Sequence, residues 1–314
     1  MTDGIRQPPI EDYALIGDCH GAALVSGTGS IDWCTPLRFD SDPVFFRLLD
    51  ARGGGFWSVE PEKTIGVSRG YIERTNILRT LFETETGTLE LVDFMPVGRK
   101  RSAAIHDYVT LSAPGWVVRR MRCISGRVTL TTRFRPRGHE FSTAPIDMEI
   151  GEGRIDCQGG LTLWCDGEAR REDDGASLRL DLGEGETRTS VLTSVEPLFD
   201  PREQAERLYE VTHAFWREWT EYSRYRGPYQ DAVQRSALAL KLLTYAPSGA
   251  IVAAPTTSLP EDIGGSRNWD YRFCWIRDAT FALFALSVLG YSAEAGRFSD
   301  FLSRLCLREG ATLR

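Results

Sequence analysis

Asn268-Trp-Asp-Tyr-Arg-Phe-Cys-Trp-Ile-Arg-Asp278 runs directly into an apolar stretch of helical character, Ala279 to Leu289. These residues gather aromatic rings, two arginines and two aspartates within a single short segment. Flat rings flanked by charged hydrogen-bonding groups suit a sugar, which has apolar ring faces and a rim of hydroxyls. Asp278 stands where the N-cap of a helix over 279–289 would fall. A capping carboxylate is held by backbone N–H groups, so its geometry would be fixed before any ligand arrives. The competing reading is structural: a loop whose tryptophans fill the core while Arg277 pairs with a carboxylate.

Upstream, residues 251–277 form a long irregular connection with two prolines and two adjacent glycines. Loops of this length in compact domains are usually functional. Before it, Tyr229 to Tyr245 reads as a helix with Val233, Ala237, Leu240 and Leu243 on its buried side, ended by Pro247-Ser-Gly. Earlier still, Asp200-Pro-Arg-Glu203 supplies an N-cap candidate, proline at N1 and glutamate at N3, a strong helix start. Ala205, Leu208, Thr212, Phe215, Trp219 and Tyr222 then recur at steps of three and four, on one face. That face could serve as an aromatic platform for a sugar, but helical-period aromatics more often pack a core. Downstream, Gly290 stops the helix over 279–289 and Ser292 can cap another that runs to about Arg308.

Up to about residue 196 the chain reads as β structure. Ile77 to Glu85 and Thr88 to Met95 flank Thr86-Gly87 as a hairpin. Val117 to Ile124 and Arg127 to Phe134 flank Ser125-Gly126 and predict a second hairpin. Shorter runs at Leu161 to Cys165 and Thr189 to Thr193 follow, with turns such as Glu172-Asp-Asp-Gly between strands. Many short strands with turn signals argue for an antiparallel sandwich.

Composition narrows the function classes. With 42% hydrophobic and 26% charged residues, the chain has the make-up of a soluble globular protein. A net charge of −7, from 37 basic and 44 acidic residues, argues against nucleic-acid or anionic-membrane binding and is compatible with a neutral sugar. Met1 to Asp12 lacks the pattern of a secretory signal, and no long apolar window predicts a membrane span. The seven cysteines are scattered without a CxxC pair, and the four histidines lack ligand spacing. Reduced thiols in a cytoplasmic protein, with no metal and no cofactor, are the expectation.

Two long stretches also carry a resemblance. Ile251-Val-Ala-Ala-Pro-Thr-Thr-Ser-Leu-Pro-Glu-Asp-Ile-Gly-Gly265, followed by Asn268 to Asp278, resembles the entrance to the catalytic domain of glycoside hydrolase family 15. That family contains glucoamylases, glucodextranases and bacterial trehalase-like enzymes. Ile10 to Val25, Gly29-Ser-Ile-Asp-Trp33 and Arg38-Phe-Asp-Ser41 resemble the trehalase-like β-domain of its bacterial members. The resemblance implies a β-plus-α multidomain protein. Residues 1–196 would be an N-terminal antiparallel β-sandwich and 197–226 a linker helix. Residues 227–314 would open an (α/α)6 toroid that is incomplete in this sequence.

It further implies inverting hydrolysis of terminal α-glucosidic bonds in trehalose or short α-glucans. Inversion uses one carboxyl as acid and another to activate water on the opposite face, about 6.5–9.5 Å apart. In the family both are glutamates downstream of the Trp-x-Arg-Asp segment, and neither has a matching position here. Glu309 lies too close to the motif to match the first. Glu261, Asp262, Asp270 and Asp278 fall in the same loop, but one loop cannot grip both faces of a sugar. The chain alone is therefore expected to be inactive. What matches is part of a glucosyl subsite. Arg277 and Asp278 correspond to the pair that hydrogen-bonds the ring hydroxyls, Tyr271 to an aromatic beside the ring, and Trp275 to a tryptophan near the scissile bond. Trp269 is a weaker candidate, and Asp270 is expected to brace Arg272 or Arg277. Asp18, His20, Asp32 and Trp33 lie in Gly/Asp-rich turns that more often satisfy hairpin backbone.

Phe281, Phe284, Leu286, Phe301, Leu302 and Leu305 would pack against later helices of such a toroid. They are expected to be poorly covered, or covered by another polypeptide or a second copy. A non-catalytic carbohydrate-binding or assembly subunit completed by a second chain is the alternative, and a decayed truncated product a third reading.

Overall fold

A computed structural model of the protein describes residues 8–259 and 265–308. It begins with β1 (Ala14–Gly17), β2 (Ala22–Val25), β3 (Ile31–Thr35), β4 (Phe56–Pro61) and β5 (Thr64–Tyr71). There follow β6 (Leu78–Thr84), β7 (Gly87–Phe94), β8 (Gly98–Arg99), β9 (Leu111–Ser112) and β10 (Trp116–Arg135). The last strands are β11 (Met148–Gly151), β12 (Arg154–Cys157), β13 (Leu161–Cys165), β14 (Ala169–Glu172), β15 (Gly175–Gly183) and β16 (Thr187–Thr193). All pairings are antiparallel.

One layer runs β1-β2-β3-β4-β10-β15-β14 and the other β5-β6-β7-β10-β16-β13-β12-β11, with β10 shared. A common apolar core lies between them. Ile16, Val25, Ile31, Trp57, Phe134 and Leu178 come from the first layer and Leu78, Leu163 and Leu192 from the second. This is the expected β-sandwich. Thr86-Gly87 makes the expected turn, joining β6 to β7 through Leu78↔Asp93 and on to Glu83↔Thr88.

The second expected hairpin is absent. Ser125-Gly126 lies inside the twenty-residue β10, which continues through it without a turn. Ser125 and Gly126 stand opposite Thr88 and Gly87, with a register shift just before them. Gly126 has φ +69° there, and a Cβ on it would meet the Thr86 carbonyl oxygen at 2.3 Å. The Ser-Gly signal thus marks a bulge, where a strand bends and changes sheet.

Within the sandwich Arg119 is fully buried. Its Nε donates to Asp93 Oδ1 at 2.9 Å, and its remaining nitrogens reach Asp93 Oδ2 and the carbonyls of Trp57 and Gly29. Burial pushes the Asp93 carboxyl up from its ordinary range, and Arg119 offsets that. The group is costly to bury and is tolerated because every partner is in place.

After β16 the helical start appears as expected. Asp200 accepts from the Arg202 amide, and Pro201–Gln204 forms a 3₁₀ turn that leads into α1 (Ala205–Thr220). Thr212, Phe215 and Trp219 are buried, so the aromatic face of α1 is core and not a platform. They pack with Val97, Tyr108 and Leu111 of the β region and with Leu238 and Leu242 of α2 (Gln230–Leu242). α2 is shorter at both ends than the 229–245 helix that the sequence suggested. A buried cluster ties these layers together. Lys241 Nζ donates to Glu294 Oε1 (2.8 Å) and the Tyr108 carbonyl (2.7 Å), and Trp219 Nε1 donates to the same Glu294 oxygen.

Two further helices follow, α3 (Ile276–Leu289) and α4 (Ser292–Arg308). Gly290 ends α3 with φ +107°, where a Cβ would meet the Tyr222 carbonyl oxygen at 2.7 Å. Ala279 and Leu283 of α3 pack with Phe298 of α4 and with Ile251. Of the six apolar residues expected to lack cover, Leu286 is fully buried and Phe301 and Leu302 are half-buried. Phe281, Phe284 and Leu305 are exposed, and Val288 joins them.

Candidate active site

α3 starts three residues earlier than expected, and this changes the role of Asp278. The N-cap position belongs to Trp275, whose side chain makes no capping bond, and Asp278 sits in the first turn. Nothing in Ile276 or Arg277 stops the helix from extending back, and an acidic side chain near a helix N-terminus is favoured by the dipole without being the cap. Asp278 is therefore not pinned by backbone amides as a capping carboxylate would be.

The motif is held on its upstream side by short β-type contacts. Ala254 N donates to the Tyr271 carbonyl (2.9 Å), Ala253 N to that of Phe273 (3.1 Å) and Ser258 N to that of Trp269 (3.1 Å). Thr257 and Asp270 form an isolated bridge. Glu261, Asp262 and Glu309 lie outside the described residues.

On this frame Tyr271 and Trp275 stack, with ring centroids 6.0 Å apart and planes at 27°. Trp275 is 39% and Trp269 57% exposed, so neither tryptophan plugs the core. Arg277 and Asp278 follow on exposed positions, with Nε and Oδ2 3.7 Å apart. Tyr271, Trp275, Arg277 and Asp278 thus fall within one short segment at the head of α3, with Trp275, Arg277 and Asp278 exposed. An exposed pair of this kind contributes little to stability, and its hydrogen-bonding groups stay available to a ligand.

Asp270 and Arg272 differ sharply from that pair. Arg272 is 7% exposed. Its Nε donates to Asp270 Oδ1 (3.0 Å) and its Nη2 to Oδ2 (2.8 Å), so Asp270 braces Arg272 and not Arg277. Burial alone would raise the Asp270 carboxyl, yet hydrogen bonds from Arg272 outweigh it and hold the pKa below the usual range. A group held ionised in this way is unsuited to be a general acid.

Of the turn residues of the β region, Asp18 supports backbone, whereas Asp32 binds side-chain hydroxyls. Asp18 Oδ1 accepts from the amides of His20 (2.9 Å) and Gly21 (2.8 Å). Asp32 accepts from Tyr13 and Ser30, and Trp33 is fully buried. Burial lifts the Asp18 carboxyl to about 6, a rise partly offset by His20 and the two amides. Among the described residues no cluster of three or more His, Cys, Asp or Glu is placed to hold a metal ion. No helix of the described residues is long and apolar enough to cross a membrane.

Comparison with known proteins decides the family. A family model described as trehalase-like, N-terminal, matches residues 2–162, and one described as glycosyl hydrolases family 15 matches residues 227–311. The chain belongs to family 15 of the glycosyl hydrolases. Among its relatives is a protein named trehalase from Mycolicibacterium smegmatis, 35% identical over 94% of this chain and 47% of the relative. Another so named, from Thermoplasma volcanium, is 38% identical over 93% of this chain and 46% of its own length. A third, from Mycobacterium tuberculosis, is 34% identical over 94% and 46%. The chain thus spans about half the length of the curated relatives it matches.

The family-15 motif was legible in sequence as a set of residue types. What sequence reasoning missed is the division of labour within it, because Arg272 also bonds carbonyls of a β-region loop more than two hundred residues away.

Proposed function

We propose that this chain forms the β-domain and the glucosyl-holding entrance of a glycosidase that cleaves terminal α-glucosidic bonds with inversion. Trehalose is the leading substrate, supported by the names of the relatives; maltose, isomaltose and longer α-glucans present the same terminal ring. The observation that carries the reading is the stacked Tyr271–Trp275 pair, followed directly in the chain by the exposed Arg277 and Asp278. Such rings offer an apolar face to a pyranose, and the charged pair offers a donor and an acceptor to its hydroxyls. Trp269 extends the aromatic surface.

The domain division proposed is 1–196 for the sandwich, 197–226 for the linker and 227–314 for the start of the helical toroid. It is supported by the end of β16 at Thr193 and the 3₁₀ turn at Pro201. The family's acid and base glutamates have no matching positions in these residues. We therefore propose that this chain does not turn over substrate alone. The exposed apolar stripe of Phe281, Phe284 and Val288 favours a second reading, an assembly subunit whose toroid is completed by a second chain or by self-association. Seven free cysteines support a cytoplasmic setting.

The test is glucose release from trehalose, maltose and isomaltose by the purified chain, together with tryptophan-fluorescence titration of each sugar. We expect no release, and saturable quenching by trehalose that weakens about tenfold or more in Arg277→Ala. A hydrogen bond to a charged group contributes about 1.5–3 kcal/mol, which sets that scale. Turnover abolished by the substitution would overturn the claim of inactivity. Absence of saturable binding by any of the sugars would overturn the glucosyl-holding role.

A further inference from the structure

We propose that Arg272 is the positioning residue through which the β-domain sets the geometry of the Tyr271–Asp278 segment. Its guanidinium links two distant parts of the chain. On the motif side it clasps both oxygens of Asp270. On the β-domain side Nη1 donates to the Ser41 carbonyl at 2.6 Å and lies 3.5 Å from that of Phe39. Its carbon Cζ is 6.0 Å from the ring centre of Trp33 and 5.9 Å from that of Phe141, both β-domain residues. Nearly all the donors of the fork are therefore committed, and its faces are flanked by aromatic rings.

The receiving loop is itself fixed. Arg38 pairs with both oxygens of Asp40 at 2.8 and 2.7 Å. The Ser41 hydroxyl and amide both donate to the Arg38 carbonyl. Phe39 is 2% exposed, and its ring meets Tyr245 edge-on at 6.3 Å. The two carbonyls that Arg272 reaches thus belong to a loop with its own internal bonds and a packed aromatic anchor. A rigid receptor of this kind transmits position.

Position matters because of what lies immediately downstream. Tyr271 adjoins Arg272 in sequence, and Trp275 stacks on Tyr271. By contrast, Arg277 and Asp278 meet each other at 3.7 Å and are exposed. The placement of the ligand-facing half depends on the buried half, and the buried half depends on the β-domain. Sites held by locked supporting groups keep their geometry, and loss of that support loosens them without removing any ligand contact. The consequence for sugar affinity rests on the function proposed above; the mechanical claim does not.

The test uses the whole chain with Arg272→Lys and Arg272→Met. Lysine keeps the charge but cannot clasp two carboxylate oxygens and reach the loop carbonyls together. Amide hydrogen exchange of Ala253, Ala254 and Ser258, which bond to the motif, is compared with that of β10 and α1. We expect at least tenfold faster exchange at those three amides in both variants, smaller for lysine than for methionine, with β10 and α1 unchanged. Unchanged exchange at the three amides would overturn the proposal. So would acceleration spread equally through β10 and α1, which would mark Arg272 as a general stabiliser. In the sugar titration, wild-type binding that weakens severalfold in Arg272→Lys supports the role, and equal affinity refutes it. A wild-type chain that binds no α-glucoside would remove the proposed function and leave the exchange result to decide the positioning role.

Discussion

In the β-sandwich even the charged Arg119 and Asp93 are fully buried, whereas on α3 the apolar Phe281, Phe284 and Val288 are 65–70% exposed. The contrast runs against the intrinsic preferences of these residue types. A sandwich supplies its own partners, because two layers cover one another and a shared strand joins them. A helix pair has no such closure. α3 finds cover from α4 and Ile251, and through Leu286 from the cluster of α1 and α2, while its remaining side keeps its apolar character at the surface. Burial in this chain follows the availability of partners more closely than hydrophobicity.

The largest test of that contrast is Arg119→Met. It leaves the Asp93 carboxylate buried without its partner and strips donors from the Trp57 and Gly29 carbonyls. Breaking such a buried pair costs about 3–5 kcal/mol. Urea denaturation should show that loss in the sandwich, and a loss below about 1 kcal/mol would mean that the pair does not pin the two layers.

A smaller effect should appear at Asp18, where the sandwich meets the helices. Its carboxyl sits at about 6 in the native state, against about 3.9 in an unfolded chain. The native form holds the proton more tightly, so stability should fall as pH rises from about 4 to about 6 and stay lowered above that. The change is on the order of 3 kcal/mol. Asp18→Asn cannot ionise and should flatten this part of the profile. Tm profiles of wild type and variant that run parallel from pH 4 to 7 would refute the assignment.

The smallest expected effect on stability lies on the open face. Phe281→Ser and Phe284→Ser should each change it by less than about 0.5 kcal/mol, the scale of ordinary surface substitutions. Together they should lower binding of an apolar dye and any self-association seen by sedimentation. A cost above about 2 kcal/mol would show that these side chains are packed in solution, and the contrast with the sandwich would collapse.

Much of this organisation could be read from local signals. Alternation located β6 and β7, a short run between turns located β13, and the Asp200-Pro201 start and the Gly290 stop were plain. Ser125-Gly126 was not, because a Ser-Gly pair between two alternating runs serves a hairpin and a bulge equally well. Which one forms depends on the strands available to pair with Arg127 to Phe134, and these are β4 and β15, distant in sequence. The site divides in the same way. Aromatic and charged residues at the head of α3 were visible as types, and a bracing role for Asp270 was expected, though the choice between Arg272 and Arg277 was open until the structure showed Arg272. The helix boundary at Ile276 was not expected, since no residue between Trp275 and Asp278 signals a start. The anchoring of Arg272 to Phe39 and Ser41 is a tertiary contact without any local trace.

The shared strand also sets an order of assembly during synthesis. β4 and β7 are made before β10, but β15 and β16, which take its other edge, are made after it. Until they emerge, a matter of seconds at roughly 5–20 residues per second, each half of a twenty-residue strand has one unpaired edge. Such edges recruit strands from other chains unless charge prevents it. β10 carries six arginines and no carboxylate, so copies on neighbouring ribosomes repel one another edge to edge while each waits for its own downstream partners.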